Sequence, residues 1–141
     1  MELDFAFLAD AAEVTNGKLY VIGGAFDTLC VRELPASWPR LTLVMRFLLT
    51  PAESGRPHAL EIIVLDEDGK KIVNLSSSLN VERPPNMLSG TKQSVPIALN
   101  FFNARFDKKG SYSIEILVNG TSLKSIPLKI LLQKPPAETL H

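Results

Sequence analysis

Residues 110–130, Gly-Ser-Tyr-Ser-Ile-Glu-Ile-Leu-Val-Asn-Gly-Thr-Ser-Leu-Lys-Ser-Ile-Pro-Leu-Lys-Ile, constrain the fold of this chain more than any other stretch. Tyr112, Ile114, Ile116 and Val118 fall at period two, the spacing of a strand with one face on a core. Asn119-Gly120 then supplies two residues that tolerate φ > 0, as a type I′ hairpin turn demands. A two-residue turn fixes register, placing Val118 opposite Thr121, Ile116 opposite Leu123 and Glu115 opposite Lys124. Unbroken one-to-one pairing, however, leaves Ile126, Leu128, Ile130 and Leu132 on the phase facing away from the core. One extra residue near 125–127 restores them, and Pro127 has no N–H to give to a ladder in any case. The sequence therefore predicts a bulged hairpin.

Two further dipeptides carry the same signal. Residues 3–14 read as a helix with Phe7, Ala11 and Val14 on one face and Asn16-Gly17 as its C-cap, or as a strand turning at Asn16-Gly17. The β-rich run from Leu19 to Ile22 favours the hairpin, with Val14 opposite Leu19, Ala12 opposite Val21 and Asp10 opposite Gly23. Asp10 then sits among small residues, where a carboxylate must be hydrogen-bonded or wet. Gly23-Gly24 predicts a bulge, a bend or a close backbone approach; it lacks the third glycine and following helix of a phosphate loop. At Asp68-Gly69 the same turn rule puts Glu67 opposite Lys70, Asp66 opposite Lys71 and Val64 opposite Val73.

Leu41, Leu43, Met45, Phe47 and Leu49 share one face of another strand, and Thr42, Val44, Arg46 and Leu48 share the other. That second face is too apolar for open solvent, so a second layer or a subunit contact is expected over it. Pro-Ala-Ser-Trp-Pro at residues 35–39 reads as a turn or short crossover, with Trp38 tucked over the end of the core. Residues 83–91 are the longest irregular stretch. In residues 95–106 the apolar phase changes near Phe101-Phe102, which predicts a bulge or a strand passing between sheets. The sum is eight or nine short strands with turn signals between them: an all-β chain, an antiparallel two-sheet sandwich of immunoglobulin-like or other Greek-key (jelly-roll) arrangement. Residues 1–134 make one domain, and residues 135–141 a tail.

Fifteen basic and fifteen acidic residues cancel, and neither a basic stripe nor interleaved aromatics mark a nucleic-acid surface. Cys30 is the only cysteine, which excludes an internal disulfide and a multi-cysteine zinc site. Between Leu29 and Val31 it reads as a buried thiol. The acidic start, Met-Glu-Leu-Asp, lacks the basic residues of an export signal, and no apolar run is long enough to span a bilayer as a helix. The expected setting is cytoplasmic, with neither membrane nor nucleic acid as partner.

Phe7 to Ala12, Gly-Lys-Leu-Tyr-Val-Ile-Gly-Gly-Ala-Phe-Asp at residues 17–27 and the closing hairpin together resemble a bacterial family of small proteins of unknown function. In that family an opening hairpin ending in a glycine pair precedes an immunoglobulin-like array of strands. The resemblance implies a fold, and it implies no reaction, cofactor or catalytic residue.

Chemistry is sparse in the sequence. A hydrolytic triad has only His58 and His141 to draw on, no nucleophile motif accompanies them, and His58 reads as a surface histidine at a strand start. Asp66-Glu67-Asp68-Gly69 opens like a calcium loop, but Lys70 and Lys71 stand where further ligands are needed. Asp10, Asp27 and Asp107 form an acid–base or cation site only if the fold brings them to one end. No catalytic, cofactor or metal residue is assigned. The leading expectation is a non-enzymatic interaction or scaffolding module that binds a protein partner or a second copy of itself as a homodimer. The alternatives are a small-ligand or carbohydrate site near Trp38 and the 83–91 loop, and a hydrolase built on His58 and the aspartates. Trp38, His58, Arg83, Asn86 and Met87 are the candidate ligand or partner surface.

Overall fold

The computed structural model describes residues 1–133; the tail at residues 135–141, with His141, lies outside the described residues. Nine strands follow one another in the described chain: β1 (Glu2–Thr15), β2 (Lys18–Phe26), β3 (Thr28–Val31), β4 (Ala36–Leu49), β5 (His58–Leu65), β6 (Lys71–Leu79), β7 (Gln93–Phe106), β8 (Gly110–Val118) and β9 (Thr121–Leu132). They form a four-stranded sheet in the order β2-β1-β4-β7 and a five-stranded sheet in the order β3-β9-β8-β5-β6. All pairs are antiparallel except β3 with β9, which run parallel. No helix among the described residues is long and apolar enough to cross a membrane.

The two sheets enclose one core. Leu8, Leu43, Met45 and Phe47 enter it from the first sheet, and Ile62, Ile114, Ile116, Leu128 and Ile130 from the second, all almost fully buried. Phe106 meets Tyr112 edge-to-face at 5.1 Å between ring centroids, closing one end. Trp38 is half-buried against the same core, as its position predicts, although residues 36–39 belong to β4 instead of a turn.

Asn16-Gly17 and Asn119-Gly120 both adopt the positive φ values of type I′ turns. Val14 faces Leu19 and Ala12 faces Val21, so the strand reading of residues 3–14 holds and the helix reading fails. Asp68-Gly69 departs from the rule. Only Gly69 has positive φ, its N–H bonds to the Asp66 carbonyl at 3.0 Å, and Asp66 N–H bonds to the Lys70 carbonyl at 3.0 Å. Asp66 thus faces Lys70, Leu65 faces Lys71, and Ile72 is the extra residue before Val64 meets Val73. The cause is the Asp66 carboxylate, whose Oδ1 accepts the N–H groups of Asp68 and Lys70, both at 2.9 Å, and wraps the turn around itself.

In the closing hairpin the bulge falls at Leu123, two residues before the predicted place. Leu117 faces Ser122 and Ile116 faces Lys124, which overturns the expected Ile116–Leu123 and Glu115–Lys124 pairs. Glu115 faces Ser125 instead and accepts its hydroxyl at 2.9 Å. The purpose is as argued from phase: Ile126, Leu128 and Ile130 return to the core. Leu132 stays exposed.

The phase change in β7 is real but needs no inserted residue. Pairing of β4 with β7 is unbroken from Ala36↔Phe106 to Leu49↔Gln93, and both strands switch faces together: Leu41 and Phe101 are buried on one side of the switch, Ala104 and Phe106 on the other. Asn103, at φ 55°, absorbs the change opposite Pro39.

Candidate functional site

The opening hairpin is the part of the fold that the sandwich does not account for. β4 pairs with β1 only as far as Ala9↔Thr42, whereas β1 and β2 stay paired out to Thr15↔Lys18. Residues 10–23 are therefore a two-stranded arm bonded to itself. Tyr20 and Ile22, paired with Glu13 and Ala11, are 54% and 72% exposed on one face, and Val14 and Val21 are exposed on the other. Leu19 to Ile22 is an apolar run inside an edge strand, and that is the sequence signal from which these residues are recoverable.

The glycine pair at its base works through close approach. A side chain on Gly23, at φ 63°, would overlap the Asp10 carboxylate, so Asp10 lies against bare backbone and is exposed to water. A Cβ on Gly24 would stand 2.9 Å from Val21 Cγ1 and 3.1 Å from Phe7 Cε1. Ala25, at φ 65°, is the extra residue between Ala9↔Gly24 and Leu8↔Phe26.

From the arm the outer face of the first sheet continues across β4 and β7. Side chains of the chain itself bury much of the apolar face of β4. Val44 and Ala9 are fully buried beneath Phe5 and Phe7, whose rings stack at 5.9 Å, and beside Ala98. Thr42 is buried too, its hydroxyl donating to Asn100 Oδ1 at 2.8 Å. Arg46 Nη1 reaches Asp4 at 3.1 Å and its Nε donates to Ser94 Oγ at 2.6 Å. Beyond this patch Phe102 is 66% exposed, next to Arg40. A cavity of ≈ 210 Å³ lies between Ala11, Ala12, Tyr20 and Ile22, with Glu13 and Arg40 also lining it.

The residues singled out from sequence do not share a site. His58 is buried, contrary to the expected surface position. The chain folds back over residues 50–57, so that His58 Nε2 lies 2.7 Å from the Glu53 carbonyl and Nδ1 lies 3.1 Å from Asn119 Nδ2. A carbonyl can only accept, so Nε2 carries the proton and Nδ1 takes one from the amide. Glu53 itself binds the Met1 ammonium and the Thr50 N–H at 2.9 Å, and these, the ammonium first, hold its carboxyl down at about 2. Arg83 is committed to the backbone of its own loop, donating to the carbonyls of Thr91 at 2.7 Å and Leu88 at 3.0 Å. Asn86 is exposed and Met87 half-buried in that loop, where Leu88 is the most exposed apolar side chain.

Trp38 lines a separate cleft of ≈ 550 Å³ with Cys30, Arg32, Glu33, Pro35 and Gln133, without any residue of the 83–91 loop. Cys30 is exposed there, where a buried thiol was expected: in β3 it is Leu29 and Val31 that point inward. Asp10, Asp27 and Asp107 each serve a local role, Asp27 accepting from Thr28 at 2.8 Å and Asp107 from Arg105 at 2.8 Å. Among the described residues no group of three or more His, Cys, Asp or Glu side chains is placed to hold a metal ion. Near the 66–70 turn, Lys108 binds Asp68 at 2.7 Å, which raises the lysine above its ordinary value. Asp66 lies lower than usual because of the Lys70 N–H.

The pattern that defines DUF6941, a family of unknown function, matches residues 4–131. This chain belongs to that family. The match takes in the whole arm and both sheets as far as Leu131, so the glycine pair and the exposed run of β2 lie inside the family's own domain. The chain matches none of the curated proteins compared with it.

Proposed function

We propose that this DUF6941 domain is a non-enzymatic interaction module that docks a protein partner on the outer face of its first sheet, with the arm of residues 10–23 as the grip. One observation carries the reading: Tyr20 and Ile22 stand exposed on a hairpin that pairs with no third strand and rests on the first sheet through Ala12 and Leu19 on its other face. Clustered exposed apolar side chains mark interaction surfaces. The ≈ 210 Å³ cavity beside them falls below the ~300–1,000 Å³ of small-molecule pockets. It suits one anchoring apolar side chain of a partner, with Glu13 and Arg40 offering an acceptor and a donor at its rim. Both ring nitrogens of His58 are engaged inside the fold, which favours a non-enzymatic role. The order β3-β9-β8-β5-β6 with its parallel edge pair supports an immunoglobulin-like version of the sandwich. On this reading the setting is the bacterial cytoplasm, which the lone exposed thiol of Cys30 suits.

The test is a photo-crosslinking residue placed at Ile22 or, as a control on the second sheet, at Lys129, in the native cell. A discrete adduct from position 22 that Tyr20→Asp abolishes supports the reading. Equal labelling at both positions, or none at position 22, sinks it.

The ≈ 550 Å³ cleft beside Trp38 supports a second reading, a small-ligand or carbohydrate site. Trp38 is the only tryptophan, so its fluorescence reports on the cleft directly. A spectrum unchanged across a panel of mono- and oligosaccharides removes this alternative.

A further inference from the structure

The two sheets have four edges, and three of them are guarded. β2 carries the bulge at Gly23 and Ala25, both at positive φ. β7 carries Pro96, the positive-φ Asn103 and Arg105. β3 is four residues long and is followed by Arg32-Glu33. Charges, prolines, bulges and shortness are the usual means of stopping one sheet edge from pairing with another.

β6 has none of these beyond its first residues. Residues 72–81, Ile-Val-Asn-Leu-Ser-Ser-Ser-Leu-Asn-Val, contain no charge and no proline. From Val73↔Val64 to Leu79↔His58 the pairing with β5 is regular, and none of these residues has positive φ. No strand among the described residues lies on the other side of β6. The alternation sets one face of β6 on the inner side of the sheet. Val73, Leu75, Ser77 and Leu79 lie opposite the inward residues Val64, Ile62, Leu60 and His58, whereas Asn74, Ser76 and Ser78 face outward. Leu75 is 37% exposed although it points to the inner side, because its flank is open.

We propose that β6 is a strand-pairing edge whose occupant is the β6 of a second copy of this chain, joined antiparallel about a two-fold axis at Ser76. The sequence of the edge is self-complementary about that residue. Val73 meets Leu79 of the second copy, Asn74 meets Ser78, Leu75 meets Ser77, and Ser76 meets Ser76. Inside, Val73 meets Leu79 and Leu75 meets the small Ser77; outside, hydrogen-bonding side chains meet, and no like charges oppose each other. The interface is isologous and therefore closes at two copies instead of growing into a fibre. The two five-stranded sheets become one of ten strands. This edge lies on the second sheet, so the inference goes beyond the partner surface on the arm and stands or falls separately.

The test combines a variant that blocks pairing with one that reports its register. Leu75→Lys puts an inward charge on the edge, and Leu75 is outside the core cluster, so the fold tolerates it. Ser76→Cys in a Cys30→Ser background sets two thiols across the axis, whereas Asn74→Cys sets them four residues, ~13 Å, out of register. Sedimentation velocity is expected to show a concentration-dependent dimer that Leu75→Lys converts to monomer with unchanged circular dichroism and unchanged labelling at position 22. Mild oxidation is expected to give a disulfide-linked dimer with Ser76→Cys and little with Asn74→Cys. A wild-type chain that stays monomeric at the highest soluble concentration overturns the proposal. So does a dimer indifferent to Leu75→Lys, or one that oxidation links equally at both positions.

Discussion

The amide of Asn119 donates from Nδ2 to Nδ1 of His58 at 3.1 Å, while its Oδ1 accepts the Ala59 N–H at 2.9 Å and its own N–H bonds the Ala59 carbonyl at 2.8 Å. A residue chosen for a turn thus also fastens the β8–β9 hairpin to the start of β5, and the Ala59 bond fixes which way the amide points. Asn119→Gly keeps the positive φ of the turn but strips the buried imidazole of its donor, an expected loss of about 1–3 kcal/mol in urea unfolding. Asn16→Gly is the control. Its side chain is exposed, and the expected loss is a few tenths of a kcal/mol. The ¹⁵N shifts of His58 are expected to show the Nε2-protonated tautomer in wild type; the Nδ1-protonated form would refute the arrangement.

Gly23 and Gly24 separate two uses of glycine. Gly23→Ala meets both a positive φ and the Asp10 carboxylate, and is expected to cost roughly 1–3 kcal/mol. Asp10→Ala should recover the steric part and leave the backbone part. Gly24→Ala presses on Phe7 and Val21 without a φ penalty, so its smaller cost should be relieved by Phe7→Leu. Equal losses at the two glycines, with no rescue at either, would show that packing at the arm's base is not as described.

Acid is expected to loosen the chain at two carboxylates. Glu53, held by the Met1 ammonium and Thr50, lies at about 2 in the fold against an ordinary 4.5. Asp66 lies below its ordinary 3.8 because of the Lys70 N–H. Both are depressed in the folded state, so their contribution is whole above the ordinary values and disappears as pH falls through the folded ones. The urea midpoint should fall between pH 5 and 2, and the fall should be shallower in Glu53→Gln. An unchanged slope in that variant would show that the ion pair does not form in solution.

How much of this was legible in the sequence follows from the range of each interaction. The turns at Asn16-Gly17 and Asn119-Gly120 are set by two residues and were readable from them. Asp68-Gly69 was misread because the Asp66 side chain, two residues away, outcompetes the dipeptide rule. The phase of Ile126, Leu128 and Ile130 announced a bulge, but its place depended on which residue could leave the ladder while still packing, and Leu123 does so half-buried. Burial of His58 could not be read locally, since its partners lie at Glu53 and across the fold at Asn119. The exposed arm escaped notice for a similar reason. Alternation shows which residues share a face, whereas how far the hairpin runs on without a third paired strand depends on where β4 stops pairing with β1.

The Leu123 bulge makes the closing hairpin unusually tolerant of one change and intolerant of its opposite. Deleting Leu123 leaves Leu117↔Ser122 and Ile116↔Lys124 as consecutive pairs, so every residue from Lys124 onward keeps its partner. Only the packing of one half-buried leucine is lost, and cooperative unfolding should persist with a cost of about 1–3 kcal/mol. Inserting one alanine after Leu123 demands a second bulge or turns Ile126, Leu128 and Ile130 outward. Three buried side chains at ~1.5–3 kcal/mol each rival the whole stability of a domain, so the insertion is expected to unfold it. Circular dichroism and urea titration of the two variants give the comparison. An insertion as stable as the deletion would mean that β9 slides on β8, and that the register is not fixed by the buried face of β9.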